Sequence, residues 1–248
     1  MRVIKAIFIK QLDDMTKNPM VTSIFILLPF MAWLMIRFQG IEDPQAIMVM
    51  VMSIAMMSVA MMPITAITTY IAEDVETHSL RFLIMAGVKP TQYLAGLGIF
   101  SLLLSGLAMV AFAFIGQVGS DNFPMFMGIT LIGCFASLVL GAILGLLSKS
   151  VQQSSIYTTI FGMALGFIPM LSMQNPELLR GTFFLYTQQV FVTLMYMALG
   201  RGPEAIQDIY MATGYSFSIG SAMLIIGGNL VVLVVIFAVL FKKRGLRG

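Results

Sequence analysis

The chain of 248 residues is 59% hydrophobic and only 10% charged, with a formal net charge of +3, which leaves no room for a soluble domain beside its apolar stretches. A single cysteine, Cys134, excludes an intrachain disulfide and a cysteine-rich metal site. The modest basic excess requires no nucleic-acid partner, because its distribution follows a membrane topology.

All 14 Lys and Arg and all 11 Asp and Glu lie outside six apolar runs: Met20–Ile36, Ala46–Ala72, Tyr93–Val118, Pro124–Leu147, Ile156–Met173 and Ile219–Phe241. Each approaches or exceeds the roughly 20 residues that carry a helix across a bilayer core. Unpaired backbone groups are too costly in lipid for an open structure, and the runs are too long for barrel strands. The predicted fold class is all-α integral membrane, one domain over residues 1–248 with six transmembrane helices.

Ahead of the first run, Ile4, Ile7, Phe8, Leu12 and Met15 share one helical face, with Arg2, Lys5, Lys10, Asp13, Asp14 and Lys17 on the rest. Residues 1–18 thus predict an amphipathic interfacial helix in the headgroup layer, broken by Asn18-Pro19. Charges throughout this stretch are incompatible with a cleavable signal. The second run is rich in methionine (Met48, Met50, Met52, Met56, Met57, Met61 and Met62), whose flexible thioethers adapt to varied apolar partners. Spread around the helix, they cannot all face one path. Within the same run Ser58, Met62, Thr65 and Thr69 fall on one face. That face is a candidate translocation path, with helix packing as the alternative use.

The second connection, residues 73–92, is the richest polar segment. It opens with Glu73, Asp74 and Glu76, continues through Thr77, His78, Ser79 and Arg81, and carries the stripe Leu80, Leu83 and Ile84 before Gly87 and Pro90. Thr77 or Ser79 is expected to cap a short helix that Gly87 and Pro90 end. Held between two spans, such a helix suits either docking into a partner's groove or lying flat on the inner leaflet. In the fourth run Cys134 suits a core position and Gly141-x-x-x-Gly145 a packing contact. In the fifth, Thr159, Gly162, Gly166 and Pro169 share a face, and Gly162-x-x-x-Gly166 permits close helix approach. This is the second candidate path face.

The stretch Leu178–Leu199 is apolar but interrupted by Arg180, Thr182, Thr187, Gln188, Gln189 and Thr193. Lys and Arg are retained on the cytoplasmic side, and they collect in the N-terminal tail, at Arg81 and Lys89, at Lys149 and at Lys242, Lys243, Arg244 and Arg247. The opposite side holds only Arg37, Arg180 and Arg201, among six acids. Both termini are therefore expected in the cytoplasm. A seventh crossing would put Lys242 to Arg247 outside, so Leu178–Leu199 is expected as an outer-face helix or a re-entrant hairpin within an extracellular segment, residues 174–218.

No run contains a carboxylate or histidine, which disfavours an ion-coupled secondary transporter. His78, the only histidine, lies outside the runs, so an intramembrane serine or aspartyl protease also lacks its groups. A channel lined by backbone carbonyls stays open as an alternative.

The combination of an interfacial helix, six spans, the acid-rich opening of the second connection, its Ser79-Leu80-Arg81-Phe82-Leu83 centre and its Lys89-Pro90-Thr91-Gln92-Tyr93-Leu94-Ala95-Gly96 exit resembles the permease subunits of bacterial type-2 ABC exporters. The segment Ile168–Pro176 resembles them as well; His78 departs from the usual pattern. The resemblance implies that Glu73 to Lys89 is a coupling helix docking on a separate ATPase subunit. It also implies two permeases, a homodimer or a pair, with two ATPases, and places the second and fifth spans along the central interface. With no Gly-x-x-x-x-Gly-Lys-Ser/Thr loop in the sequence, the chain is not itself expected to be an enzyme; ATP and Mg belong on the partner. The expected cargo is hydrophobic or amphipathic: a peptide such as a cytolytic modulin or bacteriocin, or a drug-like amphiphile. The alternative is a lipid or lipid-linked glycan.

Overall fold

The computed structural model describes residues 6–11, 19–200, 214 and 217–246, and among these it is helical between short connections, with no strand. The helices are α1 (Pro19–Gln39), α2 (Pro44–Glu76), α3 (Ser79–Met85), α4 (Pro90–Ile115), α5 (Phe123–Leu147), α6 (Val151–Ser172), α7 (Pro176–Thr182), α8 (Tyr186–Ala198) and α9 (Ile219–Leu246). The six apolar runs fall in α1, α2, α4, α5, α6 and α9. Five of these, α2, α4, α5, α6 and α9, are long and apolar enough to cross a membrane; α1, at 21 residues, is the shortest of the six.

Local chemistry sets where these helices begin. The Asp43 carboxylate accepts the Gln45 and Ala46 N–H groups at 3.2 and 3.3 Å, and Pro44 occupies the first helical position of α2, where its missing donor costs nothing. Asn175 does the same for α7, accepting from Glu177 and Leu178 at 3.0 and 3.3 Å. The 33 residues of α2 extend about 50 Å at 1.5 Å per residue. That is several turns more than a core of about 30 Å requires.

α2 is the central element. On one side α5 lies against it along Gly133, Gly141 and Gly145. A Cβ at Gly141 would stand 2.9 Å from the Ile64 Cα, and one at Gly145 would stand 2.7 Å from the Ile71 Cβ. The Thr68 hydroxyl donates to the Gly141 carbonyl at 2.9 Å across this seam, so Gly141-x-x-x-Gly145 is the packing contact expected. On another side α6 approaches α2 through Gly162 and Gly166, which face Met61 and Met57. Cys134 is buried in the core. The outward surfaces of α1, α4 and α9 carry aliphatic and aromatic side chains such as Ile26, Phe30, Leu103, Leu107, Leu224 and Val239, as a lipid-facing surface requires.

The helical stretch 6–11 is the described part of the expected interfacial helix; residues 1–5 and 12–18, with Ile4, Leu12 and Met15, lie outside the described residues. Its apolar face turns onto the bundle. Ile7 is buried against Gly96 of α4, and Phe8 meets Phe100 edge-on with ring centroids 5.7 Å apart.

Of the two forms open for Leu178–Leu199, the structure adopts a pair of helices, α7 and α8, inserted into the bundle. Tyr186, which opens α8, is buried and shares a 2.8 Å hydrogen bond with Ser137 near the middle of α5. The turn between the helices therefore sits deep among apolar neighbours, where its backbone carbonyls need partners. Gln189 Nε2 donates to the Phe183 carbonyl, and Asn229 Nδ2 of α9 donates to that of Phe184 at 2.8 Å. Several of the polar residues that interrupt this stretch thus satisfy backbone and internal contacts: Gln188 Oε1 accepts from Ser172 at 2.8 Å, and Thr193 returns to the Gln189 carbonyl at 2.7 Å. Asn229→Leu should strip one of these partners and lower stability by about 1–3 kcal/mol. A thermal midpoint in detergent equal to that of the parent protein would refute this.

Candidate functional site

The chain between α2 and α4 is built from local rules. Thr77 closes α2; its N–H and its hydroxyl both donate to the Glu73 carbonyl, at 2.9 and 2.8 Å, and its hydroxyl also lies 2.8 Å from that of Ser79. With Thr77 so engaged, the N-cap position of α3 falls to His78, whose carbonyl accepts from Arg81 and Phe82 at 3.1 and 3.4 Å. This corrects the expectation that Thr77 or Ser79 caps the helix. His78 has φ +60°, a left-handed conformation costing an L-residue about 1–2 kcal/mol and adopted more readily by His than by most residues. The single polar residue that departs from the resemblance is thus the corner between the two helices. Gly87 at φ +80° ends α3, with the Val88 N–H reaching back to the Leu83 carbonyl at 3.1 Å, as in a glycine-terminated helix. Gln92 then accepts the Lys89 N–H at 3.1 Å to start α4 at Pro90.

The acids that open the connection have separate partners. Asp74 is buried, 2% exposed; its carboxylate takes Lys10 Nζ at 2.6 Å and the Tyr93 hydroxyl at 2.7 Å, joining the N-terminal stretch, α2 and α4. Glu76 is exposed and accepts the Val151 N–H at the start of α6, at 2.7 Å. Glu73, half-buried, lies a turn before Thr77.

α3 has two faces. Leu80 is only 4% exposed and Leu83 is half-buried, so they hold α3 against the bundle. Phe82 and Met85, three residues apart and 65% and 64% exposed, project away together with Arg81. Leu80 and Leu83 of the stripe singled out in the sequence therefore face inward, and the exposed apolar pair lies two residues further along; the side chain of Ile84 lies outside the described ones. Phe82 and Met85 thus form an exposed apolar patch beside Arg81.

The two path faces also resolve into inner and outer parts. Ser58, Met62 and Thr69 are buried inside the protomer, and Ser58 donates to the Ile54 carbonyl of its own helix at 2.9 Å. Gly162, Gly166 and Pro169 are buried as well, the two glycines against α2. Thr65 is half-buried and Thr159 exposed. The less buried side of α2 is Met50, Ile54, Met57, Met61 and Thr65, all half-buried, with Met57 and Met61 partly covered by Gly166 and Gly162 of α6; the exposed side of α6 is Ser155, Thr159, Met163 and Phe167. Of the seven methionines in the second run, Met52, Met56 and Met62 belong to the core, and the others lie on half-buried positions. Between α2, α6 and α8 lies a cavity of about 340 Å³ lined by Val49, Phe167, Met170, Met173, Phe191 and Met195, among others.

A polytopic helical bundle with an acid-anchored helix between two spans is matched by a family model, that of the ABC-2 family transporter proteins, over residues 37–242. This chain belongs to the ABC-2 transporter family. No curated protein matches it. It is accordingly a multi-pass membrane permease subunit of an ABC transporter, a component that associates with an ABC ATPase subunit.

Several residues of this ABC-2 permease that organise the site escaped sequence reading. Lys10 and Tyr93 are ordinary members of an amphipathic pattern and of an apolar run until α2 brings Asp74 between them. Phe82 and Met85 were legible as apolar but not as the outward face, because seven residues give two helical turns and both stripes fit that periodicity. Asn229 carried a usable signal: an amide inside an otherwise apolar span needs a partner there.

Proposed function

We propose that the chain is the permease half of an exporter that moves a hydrophobic or amphipathic molecule outward, driven by ATP and Mg on a separate ATPase subunit. Two copies of the permease, with both termini in the cytoplasm, face each other across the open sides of α2 and α6, and two ATPases dock on the paired α3 helices. The path then runs past Met57, Met61, Thr65 and Thr159. The observation that carries the substrate class is the methionine- and phenylalanine-lined cavity beside that path; its volume is at the lower end of the range for small-ligand sites, roughly 300–1,000 Å³. Thioethers there adapt to varied apolar groups, which suits an amphipathic peptide, a modulin- or bacteriocin-like sequence, or a drug-like amphiphile better than a glycan.

The test is purification of the tagged permease with its co-purifying ATPase, reconstitution in vesicles, and vanadate-sensitive ATP hydrolysis with and without a cationic amphipathic helical peptide. Stimulation by the peptide, with vectorial movement of a labelled copy, is expected. Stimulation by a lipid-linked glycan alone would overturn the substrate class. Thr159→Cys should give an oxidation-dependent band at twice the permease mass; its absence, with the introduced thiol reactive toward maleimide, would remove the facing-α6 arrangement.

A further inference from the structure

Glu76 is the last residue of α2, yet its carboxylate holds the first residue of α6, Val151, at 2.7 Å. A negative charge at the C-terminus of its own helix opposes that helix's dipole, whereas at the N-terminus of another it is favoured. The position is therefore set by the neighbour. α6 does not depend on it for capping, because Ser150 Oγ already accepts the Gln153 N–H at 3.2 Å and the Gln153 side chain takes the Lys149 N–H at 2.8 Å. Glu76 adds, through the Val151 N–H, a link between two helices at a helix end that already carries a side-chain cap. Three turns further along α6, Gly162 and Gly166 lie against Met61 and Met57, so α2 and α6 are held at two levels.

The geometry points to Glu76 as a positioning residue that makes α2 and α6 move as one body when α3 is displaced. This role rests on the exporter reading above. α3 joins Glu76 through Thr77 and the left-handed corner at His78. A push on α3 thus reaches α2 covalently and α6 through one charge-assisted hydrogen bond. Asp74, two residues earlier, is committed to Lys10 and Tyr93, so the end of α2 divides its carboxylates between an anchor and a transmission point.

The experiment uses the permease with its ATPase in lipid nanodiscs and needs no substrate. Ile160 of α6 is 58% exposed, while the native Cys134 is buried, so Ile160→Cys reports maleimide labelling with and without ATP and vanadate. In Glu76→Ala, ATP hydrolysis persists and the vanadate-dependent change in labelling is lost; Glu76→Gln, which keeps an acceptor, retains part of it. Val151→Pro removes only the donor, at a first helical position where proline is tolerated and after the extended Ser150. It should lose the change even if the alanine variant fails to fold. Adding Ser150→Asp to Glu76→Ala restores charge at the helix end without the link and should leave the response absent. A response kept by Glu76→Ala, or recovered with Ser150→Asp, overturns this role alone. Labelling that ignores vanadate with Glu76 in place overturns both the role and the exporter reading.

Discussion

Phe82→Asp combined with Met85→Asp is expected to leave the permease folded and inserted while removing its ATPase subunit. Both side chains are about two-thirds exposed and project from the same side of α3, so charge there meets water and disturbs no packing in the isolated subunit. In the docked complex proposed above the same positions would become buried, and each large apolar side chain contributes about 1.5–3 kcal/mol on full burial. Losing both, about 3–6 kcal/mol, weakens association by two to four orders of magnitude. The contrasting variant is Leu80→Asp. Leu80 is enclosed between α3 and the bundle, so a carboxylate there has to be desolvated and its damage should fall on folded yield. The measurement is the amount of ATPase retained on the tagged permease after gentle detergent purification, beside the monodispersity of the permease itself. A double aspartate variant that still holds stoichiometric ATPase would exclude the outer face of α3 as the docking surface.

Why Phe82 and Met85 do not stand out in the sequence of α3 is instructive about what a pattern encodes. Long periodic segments are legible because an error of one residue accumulates: the six apolar runs read as membrane helices, and each falls on a helix, five of them long and apolar enough to cross a membrane. The glycine pairs at 141 and 145 and at 162 and 166 were also legible as close approach, since no other residue type removes the Cβ. Which helix they approach was not, because α5 and α6 could have used them against any neighbour. The path face Ser58, Met62, Thr65 and Thr69 is ambiguous at the same level. Its periodicity is real, but polar and small residues suit both a lumen and the interior of a protomer, and only the packing of α5 against α2 assigns Ser58 and Met62 to the latter. Asp74 and Glu76 illustrate the remaining gap. Both read as surface charge in an acid-rich connection, yet their partners, Lys10, Tyr93 and Val151, come from three other parts of the chain. Such pairings exist only after the helices have assembled.

Gly141→Ala should lower the thermal midpoint of the detergent-solubilised permease, and Gly141→Leu should leave no folded protein. The added Cβ would lie 2.9 Å from the Ile64 Cα and 3.0 Å from its carbonyl oxygen. Those are backbone atoms in the middle of α2, so relief cannot come from rotating a side chain and requires the two helices to separate. Separation in turn stretches the 2.9 Å bond from the Thr68 hydroxyl to the Gly141 carbonyl and loosens the contact of Gly145 with Ile71 one turn away. Overpacking of this kind costs about 1–3 kcal/mol for small additions. It is opposed by the better helix propensity of alanine, about 1 kcal/mol over glycine. The matched control is Gly228→Ala in α9, where no atom lies within 4 Å of the new Cβ and only the propensity gain operates. The two substitutions should therefore move the midpoint in opposite directions. Equal stabilisation of both would mean that α2 and α5 are not in backbone contact at Gly141, and that the central helix of the bundle is placed differently.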